Sequence, residues 1–269
     1  MLRSSGIVIL LMAGWLGGAT RSELGPSGGE EVHLFLLAGQ SNMAGRGEVT
    51  ADRREPIAGV MALQRDGSWG PALDPIHWDK GVAGVGLARS FARAYLRDNP
   101  GVTVGFIPAA CGGSSVEVWV PGVYFEPTGG FPYDDAIARV RVVRSRGKLM
   151  GMLWHQGEAD GNPGRIDHYA RRLPELFARI RRDLGEPNLP IVMGQLGQFP
   201  GKPLKPERER TNEIHREVAA KDPRIVLVSS AGLSAKDDMV HFNAASLDEF
   251  GERYARAWRE LQETVSRER

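Results

Sequence analysis

The chain has 269 residues, about the size of one ordinary α/β domain once a leader is set aside, and long enough to bury a full core. Lys plus Arg number 34 against 33 Asp plus Glu, so no global charge recommends nucleic acid or an anionic membrane as a partner. Cys111 is the only cysteine, which excludes an intramolecular disulfide and leaves the fold resting on its core.

Residues 1–21 carry Arg3, an apolar stretch over 6–16, and then Gly17, Gly18 and Ala19 before a polar break. That is the layout of a secretory signal peptide, and the apolar run is shorter than the roughly 20 residues that span a bilayer. No cysteine follows it to carry a lipid anchor. The expectation is a secreted or periplasmic protein with no stable membrane insertion after cleavage. Residues 22–30 read as a Gly/Ser-rich connector, and 31–269 as a single domain of open oligomeric state.

Residues 32–38 are almost continuously apolar, as a strand covered on both faces of a parallel sheet must be. Gly39 then allows a tight exit toward Ser41. Residues 84–99 place Ala88, Phe91, Ala92 and Tyr95 at helical spacing and stop at Asn99-Pro100-Gly101. Residues 102–107 read as the second strand, 134–146 as a helix and 149–154 as the third strand. Ile166, Tyr169, Leu173, Leu176, Phe177, Ile180 and Leu184 form the apolar stripe of the next helix, with Arg171, Arg172, Arg181 and Arg182 on its wet side. A fourth strand over 190–195, a helix over 207–220 and a fifth strand over 225–228 follow. Leu247, Phe250, Tyr254, Trp258, Leu261 and Val265 mark a closing amphipathic helix. This alternation predicts a three-layer α/β/α sandwich around a five-stranded parallel sheet.

Loops leaving the carboxyl ends of such strands converge on one crevice. The first carries Ser41, although a serine in a turn is equally the residue of a helix N-cap. The second holds Gly112-Gly113-Ser114, where glycines let the backbone approach a ligand and where the plain alternative is a turn. The third runs Trp154-His155-Gln156-Gly157-Glu158-Ala159-Asp160. His155 and Glu158 invite a metal reading, but they sit on a strand exit with no third ligand nearby. Gln156 has an amide that can donate to a developing oxyanion without titrating. Glu158 is a base or a carboxylate bracing the loops, and the brace is favoured. In the last loop Asp238 and His241 stand three apart, so one turn brings the carboxylate to Nδ1 and leaves Nε2 for a nucleophile. Asp237, Glu158 and Asp160 are the competing acids. Trp119, Tyr124 and Phe125 follow the glycine loop and offer an apolar wall or a sugar platform, or else packing.

The joint pattern resembles the SGNH hydrolase superfamily, and within it the sialate O-acetylesterase and carbohydrate esterase family 6 group, which includes acetylxylan esterases. Gly39-Gln40-Ser41-Asn42-Met43 resembles its nucleophile block, Gly112-Gly113-Ser114 its glycine block, His155-Gln156-Gly157-Glu158 its third block, and Asp238 with His241 its terminal block. Ser114 stands where a threonine is usual, and Phe242 where some relatives have proline. The resemblance implies a flavodoxin-like fold and a serine esterase acting on acetylated carbohydrate without metal or cofactor. Ser41 is then nucleophile, His241 base and Asp238 its orienter. The oxyanion donors are the Ser41 and Gly112 N–H groups and the Gln156 amide, with Gly113 the alternative glycine. Gly113 and Trp119 are expected on the substrate side.

Overall fold

The computed structural model describes residues 31–267, so the expected signal peptide and connector lie outside the described residues. Strand β1, Val32–Gly39, is buried along its whole length and occupies the middle of the sheet. The other expected strands are present as β4 (Thr103–Pro108), β5 (Lys148–His155), β6 (Ile191–Gly194) and β7 (Ile225–Val228).

Among the described residues the sheet has seven strands where five were expected, in the order β3-β2-β4-β1-β5-β6-β7. The additions are β2, Val60–Leu63, parallel to β4, and β3, Trp69–Pro71, antiparallel to β2 at the edge. Four and three residues are too few to display an alternation, and Gly70 and Pro71 lie inside β3. Their hairpin is tied by Gln64 N–H, bonded to the Ser68 carbonyl at 2.8 Å.

The five expected strands, all parallel, run second, first, third, fourth, fifth across the sheet, so the chain reverses its direction of travel beside β1. The crevice of a doubly wound sheet lies outside the carboxyl ends at that reversal. Along β1, Leu34, Leu36 and Ala38 face one core layer and Phe35 and Leu37 the other, following the two-residue period of a strand. The first layer is closed by α3 (Pro132–Val143), α4 (Ile166–Leu184) and α5 (Pro206–Lys221). The second is closed by α2 (Ala88–Asp98) and α6 (Ala244–Arg267).

Helix α2 starts four residues later than its spacing predicts. Gly84 and Val85 are instead held as extended chain against Gly45 and Gly47, through Gly84 N–H to the Gly45 carbonyl at 3.1 Å and a bridge between Gly47 and Val85. Helix α3 starts earlier, with Pro132 supplying its fixed φ at the first turn and Asp134 and Asp135 facing the positive helix end.

Phe35 packs edge-on against Phe91, Tyr95 and Trp258, with ring centroids 4.9, 5.0 and 5.9 Å away. It joins β1 to both helices of its layer. Truncating it leaves a cavity that rigid neighbours cannot fill, so Phe35→Ala should lower unfolding stability by about 3–5 kcal/mol, read from urea titration.

Candidate active site

Gly39 makes the exit from β1 possible. Its φ is 127°, and a Cβ there would lie 2.1 Å from the His155 carbonyl oxygen. That carbonyl accepts the Gln40 N–H at 2.8 Å, which fixes the turn against the end of β5. Ser41 then heads the short helix α1, Ser41–Ala44, and its N–H belongs to the open first turn. The Gln40 side-chain oxygen accepts the N–H groups of Gly157 and Ala159 at 3.4 and 3.3 Å, binding this turn to the third loop.

The loop after β7 meets Ser41 from across the crevice. His241 Nε2 lies 3.0 Å from Ser41 Oγ, and Nδ1 lies 2.7 Å from Asp238 Oδ2. The other Asp238 oxygen accepts the N–H groups of Val240 and His241, each at 2.9 Å. Partial burial pushes the Asp238 carboxyl up, but these N–H groups and the imidazole outweigh it and hold it at about 2. With Asp238 ionised, Nδ1 carries the proton and Nε2 turns its lone pair to the serine. Asp237 is exposed and does not reach the ring.

Asn42, the residue after the serine, joins three loops. Its amide nitrogen donates to Glu158 Oε1 at 2.6 Å and to the Val240 carbonyl at 3.2 Å, and its oxygen accepts the Phe242 N–H at 3.1 Å. Glu158 is therefore a brace between the third loop and the nucleophile turn. His155 is fully buried, which pushes its ring toward the neutral form, and Nε2 bonds to the Gln195 carbonyl at 3.0 Å. Among the described residues no group of three His, Cys, Asp or Glu side chains is arranged to hold a metal.

The glycine loop departs from expectation in three ways. Gly112 gives its N–H to Asp79 Oδ2 at 2.8 Å, and the same oxygen lies 2.8 Å from Arg46 Nη2 in a buried ion pair. A Cβ on Gly112 would sit 2.2 Å from that guanidinium nitrogen, so the pair fills the space where a side chain would be. Gly113, exposed and at φ 84°, is the glycine of the pair that faces outward. Gln156 is fully buried and its amide nitrogen already donates to Asp160 Oδ2 and to the Ser114 carbonyl, so both amide hydrogens are taken. It holds the glycine loop in place and presents no free donor to the crevice. Trp119 is also fully buried: Nε1 donates to Ser114 Oγ at 2.9 Å and the ring packs edge-on against Trp154. It is core and not part of a substrate wall, whereas Tyr124, a few residues on, is exposed.

Asp160 supports this arrangement from beneath, accepting the Val116 N–H at 3.0 Å as well as the Gln156 amide. Arg46, Asp79 and Asn42 were given no role from the sequence alone. Arg46 and Asp79 lie 33 positions apart, beyond any local pattern. Asn42 stands inside a recognised block, where three unused hydrogen-bonding capacities beside a nucleophile were the available signal.

Fold and site together define an α/β protein with a hydrogen-bonded Ser41, His241 and Asp238 triad at the carboxyl edge of its sheet. Residues 31–260 match the family described as carbohydrate esterase, sialic acid-specific acetylesterase, and the chain belongs to that family of carbohydrate acetylesterases. A probable carbohydrate esterase of Arabidopsis thaliana is 28% identical over 246 residues, covering 84% of this chain and 89% of that protein. An X-ray structure of an Arabidopsis thaliana protein superposes with a TM-score of 0.73 at 26% identity, over 85% of this chain and 98% of the other. A carbohydrate acetylesterase of Xanthomonas citri (TM-score 0.64, 20% identity, 86% of this chain and 56% of that one) and NanS (0.64, 18%, 89% and 99%) share the fold.

Two predictions follow from this geometry. Asp238→Asn removes the acceptor that fixes the imidazole tautomer while keeping its size, so kcat should fall by about 10²–10⁴ with KM little changed, whereas Asp237→Asn should stay within about threefold in steady-state assays. The second concerns stability. Burial raises the Asp160 carboxyl from its ordinary 3.8 to about 6, with the Gln156 amide and the Val116 N–H opposing. Between those values the folded chain holds a proton that the unfolded chain has lost, so this group's contribution falls as pH rises from about 4 to about 6. Asp160→Asn should flatten that part of the profile, checked by urea midpoints across the range.

Proposed function

We propose that this chain is an exported serine esterase that removes O-acetyl groups from carbohydrate through an acyl-serine intermediate. The observation that carries the reading is the continuous chain from Ser41 Oγ to His241 Nε2 at 3.0 Å and from Nδ1 to Asp238 at 2.7 Å, set in a carbohydrate esterase family. His241 takes the serine proton as Oγ attacks the ester carbonyl, then returns it to the departing sugar alkoxide. Water repeats the cycle: His241 takes its proton, hydroxide attacks the acyl carbon, and Ser41 leaves with the proton restored and acetate released. Asp238 stabilises the imidazolium at each stage without itself taking the proton.

The oxyanion is met by backbone N–H groups from Ser41 and from the glycine loop. Gly113 is the favoured glycine, because Gly112 already donates to Asp79. A preorganised donor of this kind contributes about 3 kcal/mol in the transition state. The chain's own groups supply nucleophile, base and electrophilic support, so the scheme needs no metal or organic cofactor. Its substrates are acetylated sialic acid, in keeping with the family description, or acetylated xylan or a related acetylated glycan. The signal-peptide layout of residues 1–21 supports the exported reading, which would bring the enzyme to such glycans outside the cytoplasm.

Acetate release from a panel of acetylated glycans should identify the preferred sugar. Ser41→Ala should abolish release on every one while shifting the unfolding midpoint little, since a loop-borne hydroxyl adds little to the core. Near-normal turnover by the folded variant would overturn the mechanism.

A further inference from the structure

Cys111, Gly112, Gly113 and Ser114 form a β-turn closed by the Ser114 N–H on the Cys111 carbonyl at 3.1 Å. Of its two central residues only Gly113 has positive φ, at 84°, which makes the turn type II. The Cys111 N–H donates to the Gly39 carbonyl at 2.9 Å and so ties the turn to the exit of β1, two residues before Ser41. The Gly112 N–H is taken by Asp79 at 2.8 Å. Among the described residues, Gly113 is the one member of the four whose N–H has no partner, and it is exposed.

The two glycines are required for different reasons. At Gly113 the φ demands glycine, since a Cβ there would meet nothing nearer than the Lys80 ammonium at 3.8 Å. Gly112 has no such φ. A side chain is excluded there by the ion pair, because a Cβ would stand 2.2 Å from Arg46 Nη2 and 2.6 Å from Asp79 Oδ2.

Stability alone is a poor reason for that pair. Its side chains are 6% and 2% exposed, and a charge pair so buried repays its desolvation only when its remaining polar atoms are satisfied. Asp79 Oδ2 takes both the guanidinium and the Gly112 N–H, while Oδ1 has no hydrogen-bond partner. Two apolar side chains of similar volume would avoid that orphan. They could not accept the Gly112 N–H. Arg46 serves this purpose from the nucleophile segment, just beyond α1, where its Nη1 is fixed on the Gly45 carbonyl at 2.7 Å.

We propose that Arg46 and Asp79 are positioning residues for the oxyanion site. Arg46 holds Asp79, Asp79 takes up the Gly112 N–H, and the turn so fixed keeps the Gly113 N–H as its single donor to the developing oxyanion. Neither residue touches the substrate. The proposal rests on the serine esterase reading and adds what selects and holds the glycine donor.

The test uses the full chain in two arms. In the first, steady-state hydrolysis of p-nitrophenyl acetate, Asp79→Ala should lower kcat about 100-fold with KM within about threefold, the loss expected when one oxyanion donor is misplaced. The limb of the pH profile on which His241 titrates should stay where it is. Asp79→Asn, which keeps an oxygen for the Gly112 N–H, should recover about tenfold of the lost rate. In the second arm the native chain, labelled with ¹⁵N-glycine, is titrated with phenylboronic acid. Its boron takes up Ser41 Oγ while the serine proton passes to His241, which leaves a boron-bound hydroxyl where the oxyanion would be. The Gly113 amide should move downfield and exchange with solvent about tenfold more slowly, and the Gly112 amide should do neither. This arm needs no variant, so it decides the matter if Asp79→Ala does not fold. Turnover within threefold of native by the folded Asp79→Ala protein would overturn the proposal, as would a loss carried by KM or by a displaced pH limb. So would a boronate response at Gly112 in place of Gly113. The esterase reading fails separately: the native chain would then hydrolyse p-nitrophenyl acetate no faster than its Ser41→Ala variant.

Discussion

Three hydrogen bonds from one buried amide, that of Asn42, set the distance over which Ser41 and His241 meet. Ser41 and His241 stand 200 positions apart and come from loops after the central strand and the outermost one. Neither loop is held by the sheet ladder. Asn42 supplies the missing tie, since it donates to Glu158 and to the Val240 carbonyl and accepts from the Phe242 N–H on either side of His241. An aspartate in its place would lose both donors and face Glu158 with like charge. An alanine would leave the Phe242 N–H and Glu158 without partners in a dry site, where each orphaned group costs about 1–3 kcal/mol. The position thus demands one amide, and the register of the triad follows from it.

The parts of this arrangement that were legible in the sequence are those that local pattern controls. The buried run before Gly39, the stripe from Ile166 to Leu184 and the three-residue spacing of Asp238 and His241 each express a period or a turn, and the structure repeats them at those positions. The strands β2 and β3 escaped because their stability comes from pairing with β4 and with each other, which leaves no mark in segments of four and three residues. The late start of α2 has the same origin. Gly84 and Val85 have helical neighbours, yet they spend their hydrogen bonds on Gly45 and Gly47.

Side-chain roles were legible only as capacities. An amide at Gln156 can donate, and the resemblance assigns that donation to an oxyanion, but a donor is free only if nothing nearer claims it. Asp160, four residues on, and the Ser114 carbonyl claim both hydrogens. Gly112 is likewise spoken for by Asp79, a residue whose position beside the glycine loop depends on an ion pair with Arg46. Such competition is decided by packing between segments far apart in sequence. Trp119 shows the same limit from the apolar side: an aromatic residue after a glycine loop has the composition of a sugar platform, and only the Trp154 ring and Ser114 hydroxyl packed against it reveal a core residue.

The site is divided between dry supports and a wetter working edge. Gln156, Asp160 and His155 are fully buried, and the third loop that bears them leaves the Gln156 oxygen, His155 Nδ1 and Glu158 Oε2 without hydrogen-bond partners, although Nδ1 lies 3.6 Å from Glu158 Oε1. Each orphan costs stability, which a loop selected only for folding would avoid by using apolar residues. His241 and Asp238 keep 24% and 45% of their side chains exposed, so the imidazole faces water on one side while Asp238, held by two N–H donors, steadies the other. A deeply buried triad would shield its charges from water but close off access to Ser41. The cost therefore falls on the buried residues behind Ser41 and His241, and these two remain on an open edge of the sheet.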